Sequence, residues 1–133
     1  MGFLPTKPAS PTLAKPTTKQ VGDGAEEEAL RYLLKQGLRL LTRNYRTPGR
    51  GGGEIDLIMQ ACDGTTVFIE VRKRSSTRHG GAAASVGGIK QRRIIFAARH
   101  YLMRLREPPP CRFDVVVLEP DGVRWLQAAF DAS

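Results

Sequence analysis

Two short runs, with their central acids fourteen residues apart, carry the side chains most capable of chemistry in this chain. Gly53-Glu54-Ile55-Asp56-Leu57-Ile58 and Val67-Phe68-Ile69-Glu70-Val71-Arg72 each set a carboxylate inside a strongly apolar stretch. An ionised acid in such surroundings is costly unless something positive satisfies it. Side chains alternate along a strand, which puts Glu54 and Asp56 on one face, and Glu70 and Arg72 on one face. Asp63-Gly64 between the runs is a tight-turn signal, so the two strands pair antiparallel and Asp56 and Glu70 converge. Two carboxylates, completed by a backbone carbonyl and waters, suit a hard octahedral cation such as Mg²⁺ or Mn²⁺. A cation held there polarises a phosphoryl oxygen and acidifies a bound water. Arg72, two residues beyond Glu70, is placed to hold that water or a phosphate. The bland alternative is a buried ion pair between an inward acid and a neighbouring arginine, with no chemistry at all. Glu54, where the chain leaves a glycine loop, reads as structural.

The elements that must position these acids follow from the hydrophobic pattern. Residues 1–20 hold four prolines, three lysines and no acid, a composition that cannot bury a core and reads as a flexible basic tail. Residues 21–133 are then one domain. Asp23 to Gln36 is helical, with Ala29, Leu30, Leu33 and Leu34 on one face and Glu26, Glu27 and Glu28 in the first turn, where acids suit the helix dipole. Gly37 caps it. Strands are expected over Leu38–Tyr45, Glu54–Gln60 and Thr66–Arg72, the last central and covered on both faces because Val67-Phe68-Ile69 is unbroken. A Gly, Ser and Ala-rich loop runs from Ser75 to Gly88. A second helix covers Ile89 to Leu105 and is stopped by Pro108-Pro109-Pro110. Strands over Phe113–Leu118 and Val123–Gln127 complete an α/β fold of order αβββαββ, one mixed sheet flanked by helices.

Charge says what such a fold would meet. The chain of 133 residues has a formal net charge of +8. From Arg72 to Arg112 there are eleven Lys or Arg and a single acid, Glu107, which leaves the remainder slightly acidic. Lys73, Arg74, Arg78, Lys90, Arg92 and Arg93 therefore surround the proposed site in sequence and are candidates for contact with the nucleic-acid backbone. Gly87 and Gly88 precede a helix N-terminus, a place that suits phosphate. With aromatics at 7% and no base-reading motif, recognition of backbone or shape is expected, not of sequence. Tyr32, Tyr45, Phe96 and Tyr101 read as packing residues, and His79 and His100 lack a partner pattern. Cys62 and Cys111 form no C-x-x-C and read as packing residues as well. No run approaches the ~18 apolar residues of a membrane span, and the start lacks a secretory apolar stretch. A cytoplasmic setting with no membrane partner is the expectation.

The runs G-E-I-D-L-I, V-F-I-E-V-R-K-R, K-Q-R-R-I-I-F-A-A-R-H-Y-L and R-F-D-V-V, in this order over roughly residues 21 to 130, resemble the bacterial YraN-like family. That family is similar to the PD-(D/E)xK, restriction-endonuclease-like superfamily, which includes the archaeal Holliday-junction resolvases. The resemblance implies a restriction-endonuclease-like fold and metal-dependent hydrolysis of DNA phosphodiesters, selective for structure more than sequence. It implies that Asp56 and Glu70 bind the metal, with the Val71 carbonyl as a third ligand and Glu26 completing the site from the first helix. Glu27 and Glu28 are the register alternatives to Glu26. Lys90 matches a basic residue near the start of the second helix, and a homodimer is implied by analogy. One departure stands out, because the superfamily's catalytic lysine falls at Arg72. Arginine clamps phosphate well but is a poor proton shuttle. The alternative function is thus a nucleic-acid-binding protein that keeps the nuclease fold without turnover.

Overall fold

The computed structural model describes residues 18–74 and 86–132. Two helices, α1 (Thr18–Lys35) and α2 (Gly88–Leu102), cover a sheet built from β1 (Arg39–Arg46), β2 (Glu54–Gln60), β3 (Thr66–Lys73), β4 (Cys111–Glu119) and β5 (Gly122–Phe130). The strands lie in sequence order. β1 with β2, β2 with β3 and β4 with β5 pair antiparallel, whereas β3 and β4 run parallel with α2 in the crossover between them. This is the αβββαββ order expected, and the architecture is α/β and restriction-endonuclease-like.

β3 is the middle strand, and Thr66 through Glu70 are all buried. One core lies under α1, where Ala25, Ala29, Leu30 and Leu33 meet Leu57, Met59, Val67, Ile69, Val116 and Leu118. The other lies under α2, where Ile94, Ala97 and Ala98 meet Ile55, Ile58, Phe68, Phe113, Val115 and Val117. The unbroken apolar runs of β3 and β4 thus serve both faces, as parallel neighbours at the centre of a sheet must.

Several local expectations are corrected. α1 begins at Thr18, inside the stretch assigned to the basic tail, because Thr18 to Val21 holds no helix breaker. Glu26, Glu27 and Glu28 consequently sit well inside the helix, not in its first turn. Leu34 points outward, 46% exposed. α1 ends as expected at Gly37, whose φ of +98° allows the Gly37 N–H to donate to the Leu34 carbonyl (3.0 Å) and the Leu38 N–H to the Leu33 carbonyl (3.1 Å). α2 stops at Leu102 and tightens over Arg104 and Leu105 into three-residue turns before the prolines. Phe96 lies on its outer face, 53% exposed, and Leu105 is exposed as well. Cys62 and Cys111 are exposed free thiols, not packing residues. His100 does have a partner, its Nδ1 lying 2.6 Å from the Tyr45 hydroxyl. The tail up to residue 17, the loop at 75–85, Arg78 and His79 lie outside the described residues.

The loop between β1 and β2 fixes how close α2 can come. The Thr47 N–H donates to the Gly53 carbonyl at 3.0 Å, and the Gly53 N–H donates to the buried Thr47 hydroxyl at 2.7 Å, which closes residues 47–53 into a compact ring. A Cβ at Gly53 would stand 2.0 Å from the Arg93 carbonyl oxygen and 3.0 Å from the Ala97 methyl. Only glycine lets the ring lie against the backbone of α2, with Ala97 and Ala98 keeping that face of the helix small. We expect Gly53→Ala to displace α2 and destabilise the fold by about 1–3 kcal/mol, the usual size of an overpacking effect. Urea unfolding would register it as a lower midpoint with an unchanged slope, and an unchanged midpoint would refute the contact.

Candidate functional site

Strict alternation fails at Asp56, and the failure builds the site. Ile55 belongs to the core under α2, but Leu57, two residues on, belongs to the core under α1. On the partner strand Asn44 has φ +52°, so Arg43 reaches Glu27 on α1 (3.0 Å) while Tyr45 packs under α2. Glu54 nonetheless stays close enough for its charge to act on Asp56. The β2–β3 ladder pairs Leu57 with Ile69, Ile58 with Phe68, Met59 with Val67 and Gln60 with Thr66. Just beyond Leu57, the Asp56 carboxylate turns toward β3 and its Oδ2 accepts the Val71 N–H at 2.8 Å. The side chain takes the place of a backbone rung. In an extended strand the N–H and C=O of one residue point to the same edge, so the Val71 carbonyl faces this gap too.

Glu70 enters the gap from β3. It is buried, only 8% exposed, and its carboxyl lies within hydrogen-bonding reach of the Asp56 carboxylate. Lys90, from the first turn of α2, brings Nζ to 3.6 Å from Glu70 Oε2. Burial and then the Asp56 charge push Glu70 up to about 7, against the pull of Lys90 and Arg72. Burial also raises Asp56, opposed first by the Val71 N–H and then by Lys90. The direction decides the character of the site. A carboxylate in a plain buried ion pair is lowered by its cation, but here desolvation and a second acid outweigh the lysine. Positive charge is in deficit between two oxygen-rich groups, which is the condition a divalent cation relieves.

The other expected residues fall into three groups. Arg72 is half-buried on β3, and its charge acts on Glu70. Lys73, Arg92 and Arg93 are exposed. Arg74 is drawn into the protein, its side chain 13% exposed and its guanidinium 3.5 Å from Glu119, which Arg124 also approaches at 3.4 Å. It does not contribute to an open basic face. Glu26 lies on the stripe of α1 that includes Ala29, Leu30 and Leu33 and faces the opposite side of the sheet from α2, with Oε1 screened from solvent. Among the described residues no three His, Cys, Asp or Glu side chains come together as a ligand set, so Glu26 does not join Asp56 and Glu70 in this arrangement. Glu27, its register alternative, is paired with Arg43.

Two contributors escaped the sequence reading. One is Arg46, at the end of β1. With Lys90, Arg93, Thr47, Glu54 and the loop glycines it lines a cleft of about 290 Å³ beside the acids. The glycine loop had marked a turn, but nothing in the sequence tied it to the second helix. The other is Asp114 in the R-F-D-V-V run, 1% exposed, whose carboxylate accepts from Arg112 Nε (3.0 Å), Trp125 Nε1 (2.9 Å) and the Ala128 N–H (2.9 Å). Its role is to hold the irregular end of β5, where Ala128 has φ +51°.

Residues 25–118 match the model of the uncharacterised protein family UPF0102. The chain belongs to that family. It is 76% identical over 116 residues to a UPF0102 protein of Albidiferax ferrireducens, covering 87% of this chain and 91% of the relative. It is 62% identical over 134 residues to one from Paracidovorax citrulli, covering 99% of each. A relative from Cupriavidus taiwanensis is 58% identical over 118 residues, covering 89% of this chain and 88% of the relative. The matched span contains α1 from Ala25 on, both carboxylate strands and α2. No helix among the described residues is long and apolar enough to cross a membrane.

The raised acid makes a pH prediction for the protein in chelator. Below about 4.5 Glu70 is protonated whether folded or unfolded; as pH rises toward about 7 the unfolded chain releases the proton and the folded chain keeps it, so stability falls across that window. Glu70→Gln keeps a donor toward Asp56 and has nothing to ionise. It should match the parent near pH 4 and exceed it at pH 8 by roughly 2–3 kcal/mol. Denaturation curves at the two pH values test this, and a variant less stable than the parent at pH 8 would contradict it.

Proposed function

We propose that this UPF0102 protein is a divalent-metal-dependent nuclease that hydrolyses phosphodiesters of nucleic acid, DNA being the substrate the family resemblance favours. The observation that carries the reading is the close pairing of Asp56 with Glu70 at the point where β2 and β3 part, with too little positive charge between them. Two carboxylates and the Val71 carbonyl edge are hard oxygen donors, the set that Mg²⁺ or Mn²⁺ takes. Bound there, the cation supplies Lewis acidity and an acidified water. Asp56 would hold it with the oxygen not occupied by the Val71 N–H, and Glu70 would supply the second carboxylate. Arg72, on the strand two residues beyond Glu70, orients and neutralises the scissile phosphate. Lys90 holds Glu70 in place from above. Exposed Lys73, Arg92 and Arg93 draw the polyanion in without reading bases.

Arg72 also supports a second reading, in which the fold binds nucleic acid but has lost turnover, since a guanidinium stays protonated at any accessible pH. One set of measurements separates the two. Plasmid, flap and four-way-junction DNA are incubated with the protein and Mn²⁺ or Mg²⁺. Nicking that disappears in Asp56→Ala, by a factor of about 10² or more for a residue acting in the transition state, establishes the nuclease. Binding without nicking, with nicking appearing in Arg72→Lys, establishes the second reading. Calorimetry reads the metal independently, with a Mn²⁺ isotherm expected for the parent and none for Asp56→Ala. Nicking retained in Asp56→Ala, or no metal uptake by the parent, would end the proposal.

A further inference from the structure

The cleft between the 47–53 loop and α2 has a composition that restricts what can occupy it. Its lining is Arg46, Thr47, four glycines, Glu54, Lys90 and Arg93, with no aliphatic or aromatic side chain among them. An apolar group would find nothing to pack against. Three cations face one acid, Glu54, and that acid is loosely engaged with Arg46 at 3.6 Å, both side chains being well exposed. The lining therefore favours an anion. Gly49 (φ +88°) and Gly51 (φ +70°) have open space where a Cβ would stand, so the loop admits a ligand right up to its backbone. The volume, about 290 Å³, sits near the roughly 300 Å³ lower end of small-molecule sites. It suits a phosphate with its sugar better than a whole nucleotide read by its base.

We infer that this cleft is a phosphate seat, in which Arg46 and Arg93 clamp a phosphate of the nucleic acid from the two walls while Lys90 stands between it and Glu70. The inference deepens the proposed function and rests on it, because the cleft adjoins the acid pair through Lys90. It assigns the glycine loop and Arg46 a binding role that charge runs in the sequence do not reveal. The seated group is either a backbone phosphodiester flanking the reacting one or a terminal phosphomonoester. Both offer the bidentate oxygens that guanidinium prefers.

The test is equilibrium binding of labelled oligonucleotide duplexes to the full chain in EDTA, where no cleavage intervenes. Binding is measured across a salt series for the parent, for Arg46→Gln with Arg93→Gln, and for Arg31→Gln with Lys35→Gln on α1 as a charge-matched control. The cleft variant should bind at least ten-fold more weakly at moderate salt, and its log–log salt slope should be shallower by about 2, one unit for each lost phosphate contact. The control should stay near the parent, and Arg46→Lys with Arg93→Lys should regain most of the slope. A larger loss on 5′-phosphorylated than on 5′-hydroxyl duplexes identifies the terminal phosphate; equal loss identifies the backbone. A cleft variant with the parent's slope, or one matched by the control, overturns the inference. Because these readings need no metal, they fail or succeed separately from the Asp56-dependent nicking that tests the nuclease.

Discussion

The structure is organised around a repulsion. Buried Glu70 is set against half-buried Asp56, whose charge opposes the ionisation of Glu70, and Lys90 stands nearby to offset it. An apolar sheet does not adopt such an arrangement for its own stability; two hydrophobic residues of similar volume there would be as good or better. The surrounding features serve to hold the pair together. Asn44 and the irregular stretch of β2 turn Asp56 toward β3. The Val71 N–H fixes one of its oxygens. Gly53 lets α2 settle close enough for its first turn to carry Lys90 over Glu70. Asp114 supplies the comparison within the same sheet. It is buried more completely, but four donor groups, from Arg112, Trp125 and Ala128, surround it. A buried carboxylate enclosed by donors is finished structure; a buried carboxylate facing another leaves negative charge uncompensated.

Much of this was legible in the residues because it depends on period and punctuation. The helix and strand order, the bounds of β2, the central place of β3 and the meeting of Asp56 with Glu70 follow from apolar runs, glycine turns and an Asp-Gly between two strands. What was not legible depends on departures from period. Alternation cannot foresee that Asn44 adopts a left-handed conformation or that β2 changes face at Asp56, since both are set by packing against two different helices. Nor can a count of charges tell which arginines remain open. Arg74 lies in the densest basic run of the chain, but its position at the end of β3, level with Glu119 at the end of β4, draws it into an ion pair. Arg46 shows the converse, because it lies outside the basic block of residues 72–112 and meets Lys90 and Arg93 only when α2 folds back over the loop. Phe96, on the outer face of α2, shows that helical spacing marks a face without saying how wide the buried part of that face is.

These corrections contract the basic surface and sharpen it. With Arg74 withdrawn, Arg72 on the sheet and Lys90 on the first turn of α2 act on Glu70, while Arg93 on α2 and Arg46 across the loop line the cleft with Lys90. They form an arc from the carboxylates to the glycine cleft instead of a diffuse positive face. A polyanion laid along that arc would set successive phosphates on different partners, one against the carboxylate pair and Arg72 and another against the loop. Register of the backbone, not identity of the bases, is what such an arrangement can enforce.

Lys90 ties the two ends of that arc into one thermodynamic unit. In the protein as it stands its ammonium lies toward Glu70, 3.6 Å from Oε2, while its flexible stem also borders the cleft. It cannot fully neutralise both. Any cation taken up between Asp56 and Glu70 lessens the acids' hold on Lys90 and strengthens the positive field of the cleft, and any phosphate in the cleft draws Lys90 away and deepens the deficit between the acids. Because binding free energies are reciprocal, each event must favour the other by the same factor. With a cation at the acid pair and a phosphate in the cleft, a lysine placed between them would couple the two binding events without a conformational change elsewhere in the fold, because its place on the first turn of α2 sets it against both.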